Sequence, residues 1–311
     1  MKPIILSGIQ PSGRLHIGNY LGALKNFVDL QNSGQYDCFF MIADLHSLTE
    51  TYAVADKKTQ LLDLASTYLA AGLDPKKSVQ FFQSHISAHT ELAWILNTIT
   101  PMGELERMTQ YKDKSGRMET NAGLFTYPAL MASDILLYST TLVPVGDDQD
   151  QHLELTRTLA RKFNGKFGQT FPEPKALHTE TPRIMSLDNP EKKMSKSQPS
   201  GCLFLDDEPE VIRKKVMSAV TDSGSEVKFD ETNKPGVSNL LRIMKAVTGK
   251  SIEQLEAEFA GKQYGAFKST VADTLVAYLA PIREKKAELL KNSKKVLKAF
   301  AKGDKRARKV A

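Results

Sequence analysis

The 311-residue sequence predicts an α/β fold: a Rossmann-like, doubly wound parallel sheet first, then an all-helical domain. Short apolar runs alternate with amphipathic helical patterns in the first half, and after about Pro209 only helical patterns occur. The runs lack a polar face, which is typical of parallel strands covered by helices on both sides. The predicted strands are Ile4 to Leu6, Cys38 to Ala43, Val79 to Gln83 and Leu142 to Val145.

Helical patterns separate these strands and fill the second half of the chain. Proline suits the first position of a helix, so one helix is expected to start at Pro128. Asn164-Gly165 is a typical helix stop and is expected to end another. The other predicted helices are Ile17 to Val28, Lys57 to Leu73, Gln151 to Phe163, Pro209 to Val220, Ser238 to Thr248, Ile252 to Phe259 and Tyr264 to Leu290.

Composition narrows the class of protein. Hydrophobic residues at 41% and charged residues at 25% exclude a disordered, collagenous or coiled-coil chain. The formal net charge of +6 leans toward an anionic partner without requiring one. Cys38 and Cys202 lie in unrelated contexts, so neither a disulfide framework nor a structural zinc is expected. We expect a cytoplasmic protein with no membrane segment, whose single tryptophan, Trp94, packs in the core.

A composition shift between 190 and 205 marks the predicted domain boundary. We divide the chain into 1–190, a loop and linker at 191–205, a helical domain at 206–290 and a basic C-terminal helix or tail at 291–311. Tails of this composition are more often solvated, and contact with nucleic-acid phosphates is the alternative.

The loop from Gly8 to Asn19 connects the first strand to the first helix. Free backbone N–H groups and the helix dipole favour a phosphate at such a place. His16 and Asn19 add donors, and Gly18 permits close approach of a ligand to the backbone. The loop is neither GxGxxG nor a Walker loop, which disfavours dinucleotide oxidoreductases and P-loop ATPases. Taken alone, it is equally compatible with an ordinary glycine-containing turn.

A second loop, Lys193-Met194-Ser195-Lys196-Ser197, carries two ammonium groups among hydroxyls. That composition suits a flexible clip over a polyphosphate, although a short lysine cluster alone is usually a solvated surface loop. Together with His16-Ile17-Gly18-Asn19, it matches the HIGH and KMSKS signatures, so the chain resembles class I aminoacyl-tRNA synthetases.

Further motifs resemble the bacterial tryptophanyl-tRNA synthetase family, from the first strand to at least Gly265. They lie at 7–13, 103–110, 127–138 and 143–157. The resemblance implies that the first domain binds ATP and L-tryptophan, that 206–290 binds the anticodon, and that tryptophan is transferred to tRNA(Trp). It also implies a homodimer, with Mg²⁺ arriving on ATP and no metal site built from protein side chains.

The amino-acid pocket can be argued from the residues themselves. Asp134 lies in an apolar helical run, where an unpaired carboxylate would cost several kcal/mol. Tyr127, Met131, Asp134 and Tyr138 are spaced by four, three and four residues, so they share one helix face. This face forms an apolar slot with a single acceptor, which suits an indole ring with one N–H. A neighbouring arginine or a helix cap is the alternative partner for Asp134. In the family, the aspartate at this position accepts from the indole N–H.

The resemblance implies roles for further residues. His46 matches a position near the amino-acid pocket, beside Leu45 where relatives commonly have glutamine. The implied catalytic residues are His16, Lys114, Lys193, Ser195 and Lys196. The implied tryptophan-binding residues are Gln10, His46, Tyr127, Met131, Asp134 and Gln149. The implied ATP-binding residues are Gln10, Pro11, Ser12, Gly18, Asn19, Gly146, Asp148, Gln149, Arg183, Ile184, Lys193, Met194, Ser195 and Lys196.

Three alternatives remain open. A tyrosyl-tRNA synthetase shares the architecture, but the single-acceptor slot and the lack of a large anticodon-binding extension argue against it. A nucleotidyltransferase that makes a dinucleotide has a similar first loop, but the long helical region disfavours it. A catalytically silent paralogue that acts as an RNA-binding or regulatory module is the third, and the intact His16, Lys193, Ser195 and Lys196 argue against it.

Overall fold

The computed structural model describes residues 2–50, 52–109, 111–112, 121–146, 149–178 and 182–311. Its sheet has five strands in the order β3-β2-β1-β4-β5, and neighbouring strands pair in parallel. This confirms the predicted fold class. The strands are β1 Ile4–Ile9, β2 Asp37–Ile42, β3 Val79–Phe82, β4 Leu142–Val145 and β5 Lys175–His178.

Helices cover both faces of the sheet. Successive residues of β2 point to opposite faces: Phe40 packs in one hydrophobic cluster, whereas Phe39 packs in a second one. None of the helices in the described ranges is long and apolar enough to cross a membrane. The helices are α1 Ile17–Asn19, α2 Lys25–Ser33, α3 Val54–Ala70, α4 Ala88–Asn97, α5 Met102–Glu106, α6 Ala122–Leu137, α7 Asp150–Phe167, α8 Pro209–Met217, α9 Pro235–Thr248, α10 Ile252–Phe259, α11 Tyr264–Lys291 and α12 Ser293–Val310.

Several predicted helix ends were wrong by three or more residues; for example, α2 continues past Val28 to Ser33, and α3 is Val54–Ala70 rather than Lys57 to Leu73. Two others have a clear local cause. Helix α6 begins before Pro128, because the Asn121 side chain accepts a hydrogen bond from the Leu124 N–H at 2.9 Å and caps the helix there. Helix α7 continues through Asn164-Gly165 to Phe167, and it stops before Gly168, whose φ of 94° only glycine adopts without strain. Both ends are therefore set by local features, a side-chain cap at Asn121 and the backbone conformation of Gly168, that the sequence analysis did not weigh.

The prediction for Trp94 was also wrong. Its side chain is 73% exposed, because helix α4 turns Leu92 and Leu96 inward and Trp94 toward solvent. Strand β5 was not predicted, since it is a short edge strand within a polar, proline-rich stretch.

The second half of the chain is helical, as predicted. A single hydrophobic cluster joins Phe40 of the sheet to Leu275 of α11 and Phe300 of α12. The boundaries at 190, 205 and 290 therefore stay predictions, because apolar packing is continuous across them.

Helix α12 covers the free edge of β3. The Gly303 backbone lies against Gln80, and the Asp304 carboxylate accepts a hydrogen bond from the Phe82 N–H at 3.0 Å. The second Asp304 oxygen lies 2.7 Å from His85 Nδ1. An edge strand carries unpaired backbone groups, and this helix protects those of β3. The basic tail is thus a packed helix rather than a solvated segment.

Gly303→Ala is expected to lower the free energy of unfolding by about 1–3 kcal/mol, because the new methyl group would overlap the Gln80 carbonyl. Urea titration measures this free energy of unfolding. Gly165→Ala is the matched control, since a methyl group there meets no atom within 4 Å. The free energy of unfolding of the control is expected to rise by about 0.5–1 kcal/mol, because alanine is a better helix former than glycine. Equal stability of the two variants would contradict the edge packing.

Candidate active site

A cavity of about 320 Å³ opens beyond the carboxyl ends of β1, β2 and β4, where parallel sheets bind ligands. Its volume suits a small molecule. Its wall contains all six residues that the sequence analysis assigned to tryptophan: Gln10, His46, Tyr127, Met131, Asp134 and Gln149. The structure therefore brings these six together, and their binding role stays a prediction.

Asp134 is a buried, ionised carboxylate in the cavity wall. Its oxygens lie 2.8 Å from His46 Nε2 and 2.6 Å from His89 Nδ1. The Gln83 amide nitrogen approaches both oxygens, at 2.8 and 2.9 Å. Burial alone would raise the pKa of Asp134, but the hydrogen bonds from His46 and His89 outweigh it and lower this pKa to about 2. Among the residues that the structure describes, the partners of this carboxylate are two histidines and a glutamine rather than an arginine or a helix cap.

His89 joins Asp134 to Tyr138. Its Nε2 lies 2.9 Å from the Tyr138 hydroxyl, while its Nδ1 faces Asp134. Both ring nitrogens of His89 therefore have a polar partner. Tyr138 consequently lies behind the cavity and is not part of the slot, which corrects the predicted helix face.

Gln83 and His89 were missed by the sequence analysis. Gln83 directly follows β3, but the predicted strand included it, so the rule that functional residues follow strands did not select it. His89 gave no comparable signal, because its partner is 45 residues away in the sequence.

Tyr127 forms the other polar side of the cavity. Its hydroxyl lies 2.6 Å from His152 Nε2, on helix α7. Burial raises the pKa of Tyr127 to about 12, so the phenol keeps its proton at neutral pH. The wall thus includes a buried anion, Asp134, and a neutral phenol, Tyr127.

His16 caps the short helix α1 and is nearly buried. The Asn19 N–H donates to His16 Nδ1 at 3.2 Å, and the His16 N–H donates to Asn19 Oδ1 at 3.3 Å. Burial first, and then the charges of Lys196 and Lys193, lower the pKa of His16 to about 4. The ring is neutral at pH 7, and because Nδ1 accepts, the proton lies on Nε2. His16 is therefore a neutral N–H donor.

The second loop lies against the first. Lys196 Nζ donates to Ser12 Oγ at 3.1 Å and to the Gly13 carbonyl at 3.3 Å, and burial lowers the pKa of Lys196. Ser195 Oγ lies 2.9 Å from Ser197 Oγ, and Lys193 is exposed. The backbone holds the two segments together, since the Ile17 N–H donates to the Leu203 carbonyl at 2.8 Å and the Leu205 N–H donates to the Leu15 carbonyl at 3.0 Å.

Of the implied ATP-binding residues, Ile184 lies close to Gly18. A Cβ there would approach the His16 ring to 3.0 Å and Ile184 Cβ to 3.5 Å, so only glycine fits without a shift. Ile184 is buried and its carbonyl accepts from the Met194 N–H at 3.0 Å. Arg183 is exposed and lines a separate, larger cavity.

Of the remaining residues that the sequence analysis assigned to the site, two are described by the structure and two are not. Pro11 is buried within the first loop, and Gly146 directly follows β4. Lys114 and Asp148 lie outside the described residues.

Comparisons with known proteins match this geometry. The family described as tRNA synthetases class I (W and Y) matches residues 1–280. This chain belongs to that family. The resemblance drawn from the two loops is therefore confirmed.

Similar proteins cover the whole chain. The tryptophan–tRNA ligase of Caldanaerobacter subterraneus is 50% identical over 99% of this chain and 94% of its own length. The crystal structure of tryptophanyl-tRNA synthetase from Mycoplasma pneumoniae superposes with a TM-score of 0.88, at 39% identity over 100% of this chain and 94% of that one. The Campylobacter jejuni enzyme complexed with ADP and tryptophan gives a TM-score of 0.85, at 38% identity over 99% and 95%.

Asp134→Asn is expected to remove an acid-dependent part of the stability. The folded-state pKa of Asp134 lies below its ordinary value, so its contribution is present above about pH 4 and is lost as the pH falls toward 2. The wild type should exceed the variant by on the order of 2 kcal/mol at pH 6. Urea titrations at pH 6 and pH 3 measure this difference, which should shrink in acid. A difference independent of pH would contradict an ionised, buried Asp134.

Proposed function

We propose that this chain is a tryptophan–tRNA ligase. It activates L-tryptophan with ATP to tryptophanyl-adenylate and pyrophosphate, and then transfers tryptophan to the 3′-terminal adenosine of tRNA(Trp). One observation carries the proposal: an ionised, buried carboxylate lies in a cavity whose wall includes Gln10 of the first loop, and Lys196 of the second loop is bonded to Ser12 of that same loop. Ligases of this name at about 50% identity, and a relative that holds ADP and tryptophan, support it.

Asp134 selects the amino acid in this proposal. The indole N–H donates to its carboxylate, while Met131 and the neighbouring apolar wall pack against the ring. Smaller apolar side chains bring no donor to that charge and fill less of the cavity. A site built around such a hydrogen bond rejects analogues that lack the donor, so hydrolytic editing is not needed.

The first step is a displacement at phosphorus. The tryptophan carboxylate attacks the α-phosphorus of ATP, the bond to the bridging oxygen breaks, and pyrophosphate leaves with its electron pair. The nucleophile is already an anion, so no side chain has to remove a proton. Catalysis is then positioning and electrostatic stabilisation.

The two loops supply that stabilisation. Neutral His16 offers its Nε2–H to a phosphate oxygen without the energetic cost of burying a second cation. Lys196 is already held at the first loop by Ser12 and Gly13, so its ammonium is positioned before pyrophosphate departs. Lys193 and Ser195 add a charge and a hydroxyl at the rim.

Mg²⁺ is proposed to arrive bound to the ATP phosphates, whose charge it would offset. Among the residues that the structure describes, no group of three His, Cys, Asp or Glu side chains is placed to hold a metal ion. Roles for Lys114 on the phosphates and Asp148 on the ribose belong to the same proposal.

In the second step, a ribose hydroxyl of the terminal adenosine attacks the acyl carbon, and AMP leaves. We place the attack at the 2′ position, as the class I resemblance implies. The segment 206–290 is proposed to contact the anticodon. The cytoplasm is the proposed compartment, because Cys38 and Cys202 are buried, free thiols.

We also propose a homodimer. Trp94, Ile95 and Met102 are 73%, 44% and 63% exposed, and they lie close together in the sequence on α4 and α5. Exposed apolar patches of this kind often mark protein interfaces.

Two substitutions should separate binding from chemistry. Asp134→Asn is expected to raise the KM for tryptophan by about 10- to 150-fold, the equivalent of a lost hydrogen bond to a charged group. Lys196→Ala is expected to lower kcat by about 100-fold with little change in that KM, because its contact strengthens in the transition state. ATP–pyrophosphate exchange measures the KM for tryptophan and the kcat of each variant. If both substitutions changed the same constant, the assigned roles would be wrong.

Trp94→Glu is expected to convert a dimer into a monomer of 34.5 kDa, because it places a charge in the proposed apolar interface. Light scattering after gel filtration measures the mass. Phe167→Glu, at an exposed position 54% accessible near the other edge of the sheet, is the control and should stay dimeric. A dimeric Trp94→Glu variant would exclude this patch as the interface.

A further inference from the structure

Five lysines form a continuous row on the outer face of α12, which we call the lysine ridge: Lys294, Lys298, Lys302, Lys305 and Lys309. Their spacing of four, four, three and four residues places them on one side of the helix. At 1.5 Å per residue, the ridge is about 22 Å long. All five side chains are exposed.

The opposite side of α12 holds the ridge in place. Asp304 is bonded to the Phe82 N–H and to His85, as described above. Arg306 donates to the carbonyls of Pro75 and Ser78 at 2.9 and 3.2 Å. The buried residues Val296, Phe300, Gly303 and Ala307 lie on this same side. The ridge is therefore a fixed surface at the β3 edge.

The charge of the ridge is not compensated. Asp304 is the one acidic residue of α12, and it points inward. Within the described part of the chain, none of the five lysines lies within 4 Å of a carboxylate oxygen, and the nearby Glu288 pairs with Lys285 and Lys295 instead. Like charges three or four residues apart destabilise a helix by a few tenths of a kcal/mol per pair. An anionic partner would relieve this repulsion.

We propose that the lysine ridge binds the phosphate backbone of RNA, namely the tRNA of the proposed function, on which this inference rests. A membrane-bound helix needs a free apolar face, whereas the apolar face of α12 is buried against the sheet. Lysines act as point charges and lack the planar fork that reads base edges. The ridge therefore contributes affinity for phosphates and no sequence discrimination.

The test compares two triple variants with equal loss of charge. Lys298→Gln/Lys302→Gln/Lys305→Gln removes the centre of the ridge. Lys162→Gln/Lys166→Gln/Lys175→Gln removes three exposed lysines near β5, at the other edge of the sheet. The Kd for tRNA(Trp) is measured by fluorescence anisotropy over a series of salt concentrations. Far-ultraviolet circular dichroism checks that both variants are folded.

Loss of three phosphate contacts should reduce the slope of log Kd against log salt by about 2, and should weaken binding about 10- to 100-fold near 0.1 M salt. The control should keep the wild-type slope. An unchanged slope in the ridge variant would overturn the proposal. Equal losses of tRNA affinity in the ridge variant and the control would overturn it as well. If the ridge variant lost binding to vesicles of anionic lipid but still bound tRNA, the proposal would be overturned in favour of a membrane surface.

Tryptophan-dependent ATP–pyrophosphate exchange proceeds without tRNA and should be the same in all three proteins. This readout keeps the two proposals distinguishable. If the wild type shows no exchange, the proposed function fails, and the salt slopes still decide whether the ridge binds RNA.

Discussion

The backbone pairing between the first loop and the segment after the second loop is the constraint on which the site depends. Hydrogen bonds from Ile17 to Leu203 and from Leu205 to Leu15 join parts of the chain that lie almost 190 residues apart. Arg14 reinforces the pairing through ion pairs with Asp206 and Asp207. Because of it, Lys196 reaches the first loop and His16 becomes buried and neutral. Neither loop alone provides this environment.

The sequence was sufficient for the parallel sheet and for most helices, because strand and helix periodicities are local properties. It failed where packing overrides local preference. Trp94 is on the surface because of the direction in which α4 turns, which its apolar neighbours do not reveal. The basic tail reads as solvated, but Gly303 and Asp304 fix it to β3 through contacts with residues more than 200 positions away. Such contacts leave no periodic signal.

The candidate site was predictable in part, mainly through the family resemblance. Gln10 and Gln149, which the resemblance implied as tryptophan-binding residues, lie in the cavity wall beyond the strand ends, where parallel sheets bind ligands. The sequence did not identify the hydrogen-bond partners of Asp134, although its place in an apolar helical run showed that partners were required. His46, Gln83 and His89 converge on it from separate elements, and only the folded chain specifies which donors meet. Their convergence keeps an ionised acceptor at a site where burial alone would neutralise it.

The measurement that tests the central claim most directly is amino-acid-dependent ATP–pyrophosphate exchange with the purified protein and each of the twenty amino acids. An ionised acceptor in a slot sized for indole, beside a loop pair suited to ATP, predicts exchange with tryptophan alone. Exchange with tyrosine would contradict the selectivity assigned to Asp134 while keeping the class of enzyme. Exchange with none of the twenty would contradict the proposed activity.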